Sequence, residues 1–319
     1  MLKEILGRRI TPFTLLGAAV LLLIYPPFAS TYVVELLTQM LIWAIIAMSL
    51  DILMGYTGMP SFGHATYMGL SAYSTAILIT RYHGNFFGAL IFGILLAAFA
   101  AALFGLLALR AKGHYFLLIT MALGMVIWGL ANRWVSFTNG DNGIVDIIRP
   151  TLGLPWSLKD SLNFYYFTLF FFIIALGLMV LLIRSPFGQT LVGIRESESR
   201  MRTLGYNVWL HKYLIFIITG AISGFSGVLW AYYNGFVSPM DVDIFFSLEA
   251  LLMVAFGGPG TLFGAILGAG VIVFIKNLVS VYIHRWMMIM GVLFILTVFY
   301  TPEGVYGYLK RVFGKWQKS

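Results

Sequence analysis

Residues 247–281, SLEALLMVAFGGPGTLFGAILGAGVIVFIKNLVSV, decide the fold, because they form one apolar run with a break near its centre. A helix needs about 20 apolar residues to cross the hydrocarbon core of a bilayer, and this run is much longer. Proline among three glycines cannot continue a helix, and non-helical backbone at membrane depth must face protein or a water-filled cavity. The stretch predicts two short or half-length membrane helices that meet at Gly257, Gly258, Pro259 and Gly260.

The composition of the whole chain places it in a membrane. Of its 319 residues, 60% are hydrophobic and 10% are charged, against roughly 25% charged residues in an average soluble protein. The mean hydropathy is +0.92. So few polar residues cannot cover a water-facing surface, which excludes a soluble globule and a disordered chain. The absence of cysteine excludes disulfides, thiolate metal sites and a cysteine nucleophile.

Apolar runs between charged or turn-rich breaks define the membrane spans. They predict an all-α integral membrane protein, a polytopic helical bundle of about 8–10 membrane-entering segments with broken or re-entrant helices. The first run also resembles a secretory signal, but an uncleaved span fits the charge pattern better. The predicted spans are 12–30, 33–54, 59–80, 86–109, 113–132, 164–183, 213–235 and 286–300, with 247–281 as the broken region.

Basic residues orient the bundle. In membrane proteins Lys and Arg collect in cytoplasmic loops, so the net charge of +8 needs no nucleic-acid partner. Lys3, Arg8 and Arg9 place the N-terminus in the cytoplasm, and the loop 184–212, the most basic internal loop, falls on the same side. The basic tail 301–319 is predicted to be cytoplasmic as well. One unbroken helix over 247–281 would place the tail outside, so a cytoplasmic tail requires the break at residues 257–260.

A short internal sequence similarity indicates a transporter. The segment GMPSFGHA, residues 58–65 with the breaking residues Pro60 and Gly63, resembles GPGTLFGA at 258–265. Interrupted segments at corresponding places in two halves are typical of transporters with inverted repeats. The sequence therefore predicts a possible inverted repeat, with a pathway near the two breaks.

Polar residues within the spans are the candidates for lining that pathway, because such residues are costly in a membrane and usually functional. They are scarce, which argues against a proton- or sodium-coupled carrier. His64 could instead have a packing role. Asp51 and Glu249 could instead lie at the membrane interface. The candidate pathway residues are Ser61, His64, Tyr67, Thr120, Asn132 and Glu249.

Motifs for catalysis are missing. The sequence contains no H-E-x-x-H, no P-loop and no paired carboxylates for a metal site. We therefore expect a non-catalytic chain without a metal, and any ATP that drives transport must be hydrolysed by another chain.

The loop 184–212 predicts a short amphipathic helix. Leu191, Ile194, Met201 and Leu204 lie on one face and charges elsewhere, and Gly205 ends the helix. Such a helix either lies on the membrane or docks in a partner's groove. The mixture of Arg and Glu favours a protein partner.

Four segments carry a resemblance to the LivM-type permeases of branched-chain amino acid ABC importers. These are GYTGMPSFGHATYMGLSAY (55–73), KGHYFLLITMALG (112–124) continuing to TNGDNGI (138–144), SPFGQTLVGIRESESRMRTLGYN (185–207) and GFVSPMDVDIFFSLEALLMVAFGGPGTLFGAILGA (235–269). They occur in the family's order and extend over most of the chain. The resemblance implies a single transmembrane permease domain, 1–319, in a bacterial or archaeal cytoplasmic membrane.

The resemblance also implies the partners. These are an H-type sister permease or a second copy, two cytoplasmic ATPases that hold ATP and Mg²⁺, and an extracytoplasmic substrate-binding protein. This chain itself would bind no cofactor. The loop 184–212 would be the cytoplasmic coupling loop, and its coupling helix, which contacts the ATPase, is matched by Ile194, Arg195, Glu196, Glu198, Leu204 and Gly205.

The substrate is left open by a departure from the family pattern. Many members carry glutamate where this chain has Met125. Branched-chain or related hydrophobic amino acids are favoured, with urea, short amides and aromatic acids as alternatives. A self-sufficient secondary transporter and a membrane-embedded enzyme are the competing classes.

Overall fold

The computed structural model describes residues 22–111, 113–150, 157–282, 286–300 and 304. Within them the secondary structure is helical, apart from one isolated bridge between Ile144 and Val237. The main helices are α1 (Thr31–Asp51), α2 (His64–Tyr82), α3 (Phe86–Ala108), α4 (His114–Arg133), α5 (Ser161–Arg184), α6 (Pro186–Glu196), α7 (Glu198–Thr203), α8 (Val208–Asn234), α9 (Ile244–Gly257), α10 (Leu262–Tyr282) and α11 (Trp286–Tyr300). The predicted all-α polytopic bundle is confirmed.

Six helices of the described ranges are long and apolar enough to cross a membrane: α3, α4, α5, α8, α10, and α1 with its continuation to Tyr56. Three further helices, α2, α9 and α11, enter the same bundle but are more polar or shorter. These nine segments fall within the predicted range. Most of the predicted span 12–30, and the tail 301–319 except Gly304, lie outside the described residues.

The core is built around α1 and α8. On α1 every residue from Leu41 to Asp51 is buried, as expected of a helix that is apolar all round. On α8, Gly220 and Gly224 bring the backbone against Ala101 and Ala97 of α3. Small residues permit this close approach, which drives helix association in lipid.

Both predicted breaks are confirmed. Helix α1 continues as one π-helical stretch, Ile52–Tyr56, and residues 57–63, which include Pro60 and Gly63, separate it from α2. Helix α9 ends at Gly257, and α10 begins after Gly258 and Gly260, whose φ angles are 110° and 85°. Such positive φ values suit glycine.

The two breaks lie together at one end of the bundle, which we call the loop end because α6 and α7 lie there. A Cβ on Gly55, before the first break, would overlap the backbone nitrogen of Gly260 in the second. The hairpins α1–α2 and α9–α10 therefore run in the same direction. The ends of α1 and α9 thus approach their breaks from the same side of the bundle, and the possible inverted repeat stays a prediction.

Candidate functional site

The predicted coupling helix is divided in two. Ile194, Arg195 and Glu196 end α6, Glu198 begins α7, and Leu204 and Gly205 follow it. The physical reason is Ser197, whose backbone is extended and whose Oγ accepts a hydrogen bond from the Arg200 N–H at 3.3 Å. Serine at an N-cap starts a new helix rather than continuing the old one. Gly205, with a φ of 88°, then ends the segment.

The buried face of this α6–α7 segment packs locally. Ile194 and Met201 form a small apolar cluster with Val208 at the start of α8. Glu198 pairs with Lys212, also on α8, and lies 3.6 Å from Arg202. Leu204, predicted to share the apolar face, is 66% exposed instead. Arg195, Glu196 and Gly205 are exposed as well, so four of the six predicted coupling residues are available to a partner.

Arg195 is exposed, but its guanidinium group reaches the end of α1. Its Nη1 donates a hydrogen bond to the carbonyl oxygen of Gly55, in the π-helical end of α1. The Gly260 N–H, beside Gly55, donates to Asp51 Oδ1 at 2.6 Å. Asp51 is completely buried within the protein. One arginine of the α6–α7 segment thus contacts the point where the two helix breaks meet.

Four of the six predicted pathway residues come together beside the first break. His64 Nε2 lies 2.8 Å from Ser49 Oγ, and its ring lies edge-on to Tyr67. Ser61 Oγ accepts from the Gly63 N–H at 3.2 Å, and Thr120 Oγ1 accepts from the Phe62 N–H at the same distance. Ser61, His64, Tyr67 and Thr120 are all buried. The Thr120 contact holds the loop before α2 against α4, and the His64 contact holds the start of α2 against α1.

The other two pathway candidates lie elsewhere. Asn132 is half-buried near the end of α4, where its carbonyl oxygen faces the turn at Gly140. Glu249 lies on α9, and its Oε2 accepts from Lys276 Nζ of α10 at 2.8 Å. The structure therefore does not gather all six candidates into one site.

Lys276 is a functional candidate that the sequence reasoning missed, although a single lysine inside an apolar run is a recognisable signal. Its Nζ lies 5.6 Å from the ring centre of Trp43 and 5.7 Å from that of Phe246. The Trp230 ring contacts both aromatic rings. We call Glu249, Lys276, Trp43, Phe246 and Trp230 the charged–aromatic cluster.

Asp241 borders this cluster from the turn between α8 and α9. The Trp230 indole N–H and the Ser238 N–H each donate to its carboxylate at 2.8 Å. Burial raises the pKa of Asp241, and these donors together with Lys276 partly offset the effect. The described residues include no group of three His, Asp or Glu side chains that could hold a metal.

Comparison with known proteins gives consistent matches. The family model described as "Branched-chain amino acid transport system / permease component" matches residues 32–298. The high-affinity branched-chain amino acid transport system permease protein LivM of Escherichia coli is 31% identical over 313 residues, covering 91% of this chain and 74% of that protein.

Two archaeal proteins of Methanocaldococcus jannaschii also match. Its probable branched-chain amino acid transport permease protein LivM is 24% identical over 85% of this chain and 93% of its own length. Its probable LivH is 25% identical over 57% of this chain and 58% of its own length.

Proposed function

Because this chain belongs to the permease components of branched-chain amino acid ABC importers, we infer that it forms part of a pathway for a branched-chain or related hydrophobic amino acid. It is a multi-pass permease subunit of the inner membrane, and its family works with partner permease and ATPase components. The substrate class follows the names of the matched relatives.

The proposal also includes the partners of this chain and the side of the membrane on which each lies. The M-type chain pairs with an H-type sister or a second copy, and similarity to both a LivM and a LivH protein supports the heterodimer. Two ATPases that bind ATP and Mg²⁺ lie on the cytoplasmic side, and a substrate-binding protein delivers the ligand outside. Both termini and the loop 184–212 lie in the cytoplasm, because Lys and Arg accumulate there.

The contact between Arg195 and the Gly55 carbonyl is the observation that carries the coupling mechanism. The exposed Glu196 and Leu204 dock on the ATPase, so that closure of the ATPases shifts α6. Arg195 transmits this shift to the end of α1. Since Gly260 is hydrogen-bonded to Asp51 there, the hinge between α9 and α10 moves with it.

Each step of this path is a direct contact between neighbouring residues. Packed helices transmit small displacements because a close-packed interior cannot absorb them. At the two breaks, glycines adopt positive φ angles that other residues rarely adopt. The loop 184–212 is thereby the coupling loop of a single permease domain.

The substrate is tested by uptake into proteoliposomes. The vesicles hold this chain, its sister permease and the ATPases, with binding protein outside and ATP inside, and labelled leucine and urea are offered in parallel. We expect ATP-dependent uptake of leucine. Uptake of urea but not leucine would make urea the substrate and would leave the assignment as an ABC importer unchanged. Gradient-driven uptake by this chain alone, indifferent to ATP, would refute the importer and indicate a secondary transporter.

A further inference from the structure

The charged–aromatic cluster has no part in the coupling path from Arg195 to the hinge. Its ion pair joins α9 to α10 inside a membrane bundle, with the Glu249 and Lys276 side chains only 8% and 18% exposed. Ionisable groups at such positions are costly and are usually retained for function. A purely structural contact between two helices is satisfied as well or better by apolar residues.

Two polar atoms of the cluster lack hydrogen-bond partners among the described residues. Trp43 Nε1 is a donor without an acceptor, and Glu249 Oε1 is an acceptor without a donor. Trp43 is 0% exposed and Glu249 is 9% exposed, so bulk water does not satisfy them. Buried polar atoms of this kind are uncommon in native proteins, and each calls for a functional or structural explanation.

The cluster already holds one primary ammonium group, that of Lys276. Lys276 Nζ lies against the Glu249 carboxylate and within 6 Å of the Trp43 and Phe246 ring centres, a geometry that favours cations. A ligand ammonium would find the same carboxylate and rings. A ligand carboxylate would find the Trp43 N–H and, after a shift of its flexible side chain, the Lys276 ammonium.

We propose that the charged–aromatic cluster binds the ammonium and carboxylate groups of a small zwitterion, an α-amino acid, during its passage. The ammonium group contacts Glu249 Oε1, and the carboxylate contacts Trp43 Nε1 and Lys276. A simple amine or a simple carboxylic acid would leave one of these groups without a partner. This inference rests on the proposed amino-acid substrate.

Removal of both charges separates ligand binding from a structural role. In Glu249→Gln/Lys276→Met the side chains keep their approximate size but lose the ion pair. If the pair were structural, losing both charges together would be nearly neutral for stability and transport. We expect an assembled complex whose Tm changes by less than about 3 °C, but leucine uptake that falls about a hundredfold, as for loss of a buried charged recognition pair.

The matched control is Lys159→Met/Asp160→Asn, which neutralises an exposed lysine and aspartate before α5 and is expected to leave uptake unchanged. Leucine uptake by Glu249→Gln/Lys276→Met within twofold of wild type would refute the site. Uptake of urea but not leucine by the wild type would instead refute the proposed substrate, so the two failures are distinguishable.

A second variant covers the case in which the double variant does not assemble. Trp43→Phe keeps an aromatic ring and removes the N–H donor. Binding of labelled leucine is measured on the purified complex without binding protein. We expect it to weaken about tenfold, the loss of one hydrogen bond to a charged group, with competition by unlabelled leucine but not by 4-methylpentanoate or 3-methylbutylamine. Equal binding by wild type and Trp43→Phe, or equal competition by all three compounds, would overturn the proposal.

Discussion

Replacing Gly257 with alanine is expected to prevent the α9–α10 hairpin from closing. A Cβ at this position would overlap the carbonyl group of Gly264 and approach the backbone nitrogen of Ala265. These are backbone atoms of a packed helix, so no side chain can rotate away. We expect the variant to lose about 3 kcal/mol or more of stability, measured as a lower yield of folded protein and a lower Tm in detergent.

The control for Gly257→Ala lies in the same hairpin. A Cβ on Gly270, within α10, would meet no atom of the described residues within 4 Å. Gly270→Ala is therefore expected to be neutral, or stabilising by up to about 1 kcal/mol through helix propensity. Equal thermal stability of the two variants would show that the hairpin does not pack as described.

Replacing Asp51 with alanine is expected to uncouple ATP hydrolysis from transport. The variant removes the acceptor of the half-buried Gly260 N–H, so the end of α1 no longer holds the hinge. We expect leucine uptake per ATP hydrolysed to fall about tenfold, the size of a typical coupling free energy. Both rates are measured in the same proteoliposomes.

Two further variants identify what Asp51 contributes. Asp51→Asn keeps an oxygen acceptor without the negative charge, so it is expected to retain more coupling than Asp51→Ala. Asp243→Asn, at the other end of α9, removes a charge but keeps a good N-cap and should behave as wild type. An uptake-to-hydrolysis ratio in Asp51→Ala equal to that of wild type would contradict the transmission path.

The sequence predicts the helices and both breaks because these features depend on local chemistry. Long apolar runs dictate helices in lipid, and glycine with proline interrupts them. The meeting of the two breaks is different, since Asp51 and Gly260 are 209 positions apart. No local pattern contains that contact.

The candidate site follows the same rule. Ser61, His64 and Tyr67 share one motif, so their proximity is local, whereas Thr120 on α4 comes beside them only through the fold. The division of the coupling helix depends on Ser197 adopting an extended backbone, although serine is also tolerated within helices. Lys276 was overlooked because its partner Glu249 lies on another helix, and an isolated lysine near a helix end is commonly explained by snorkelling.

Transmission of the ATPases' motion through Arg195 to the helix breaks is tested most directly by the uptake-to-hydrolysis ratio of Arg195→Ala. The measurement uses the full complex in proteoliposomes with binding protein, ATP and labelled leucine, and the exposed Arg184→Ala as the control. We expect the Arg195→Ala complex to keep its ATPases bound and to hydrolyse ATP, while uptake per ATP falls about tenfold. A ratio equal to that of wild type and Arg184→Ala would contradict transmission through Arg195.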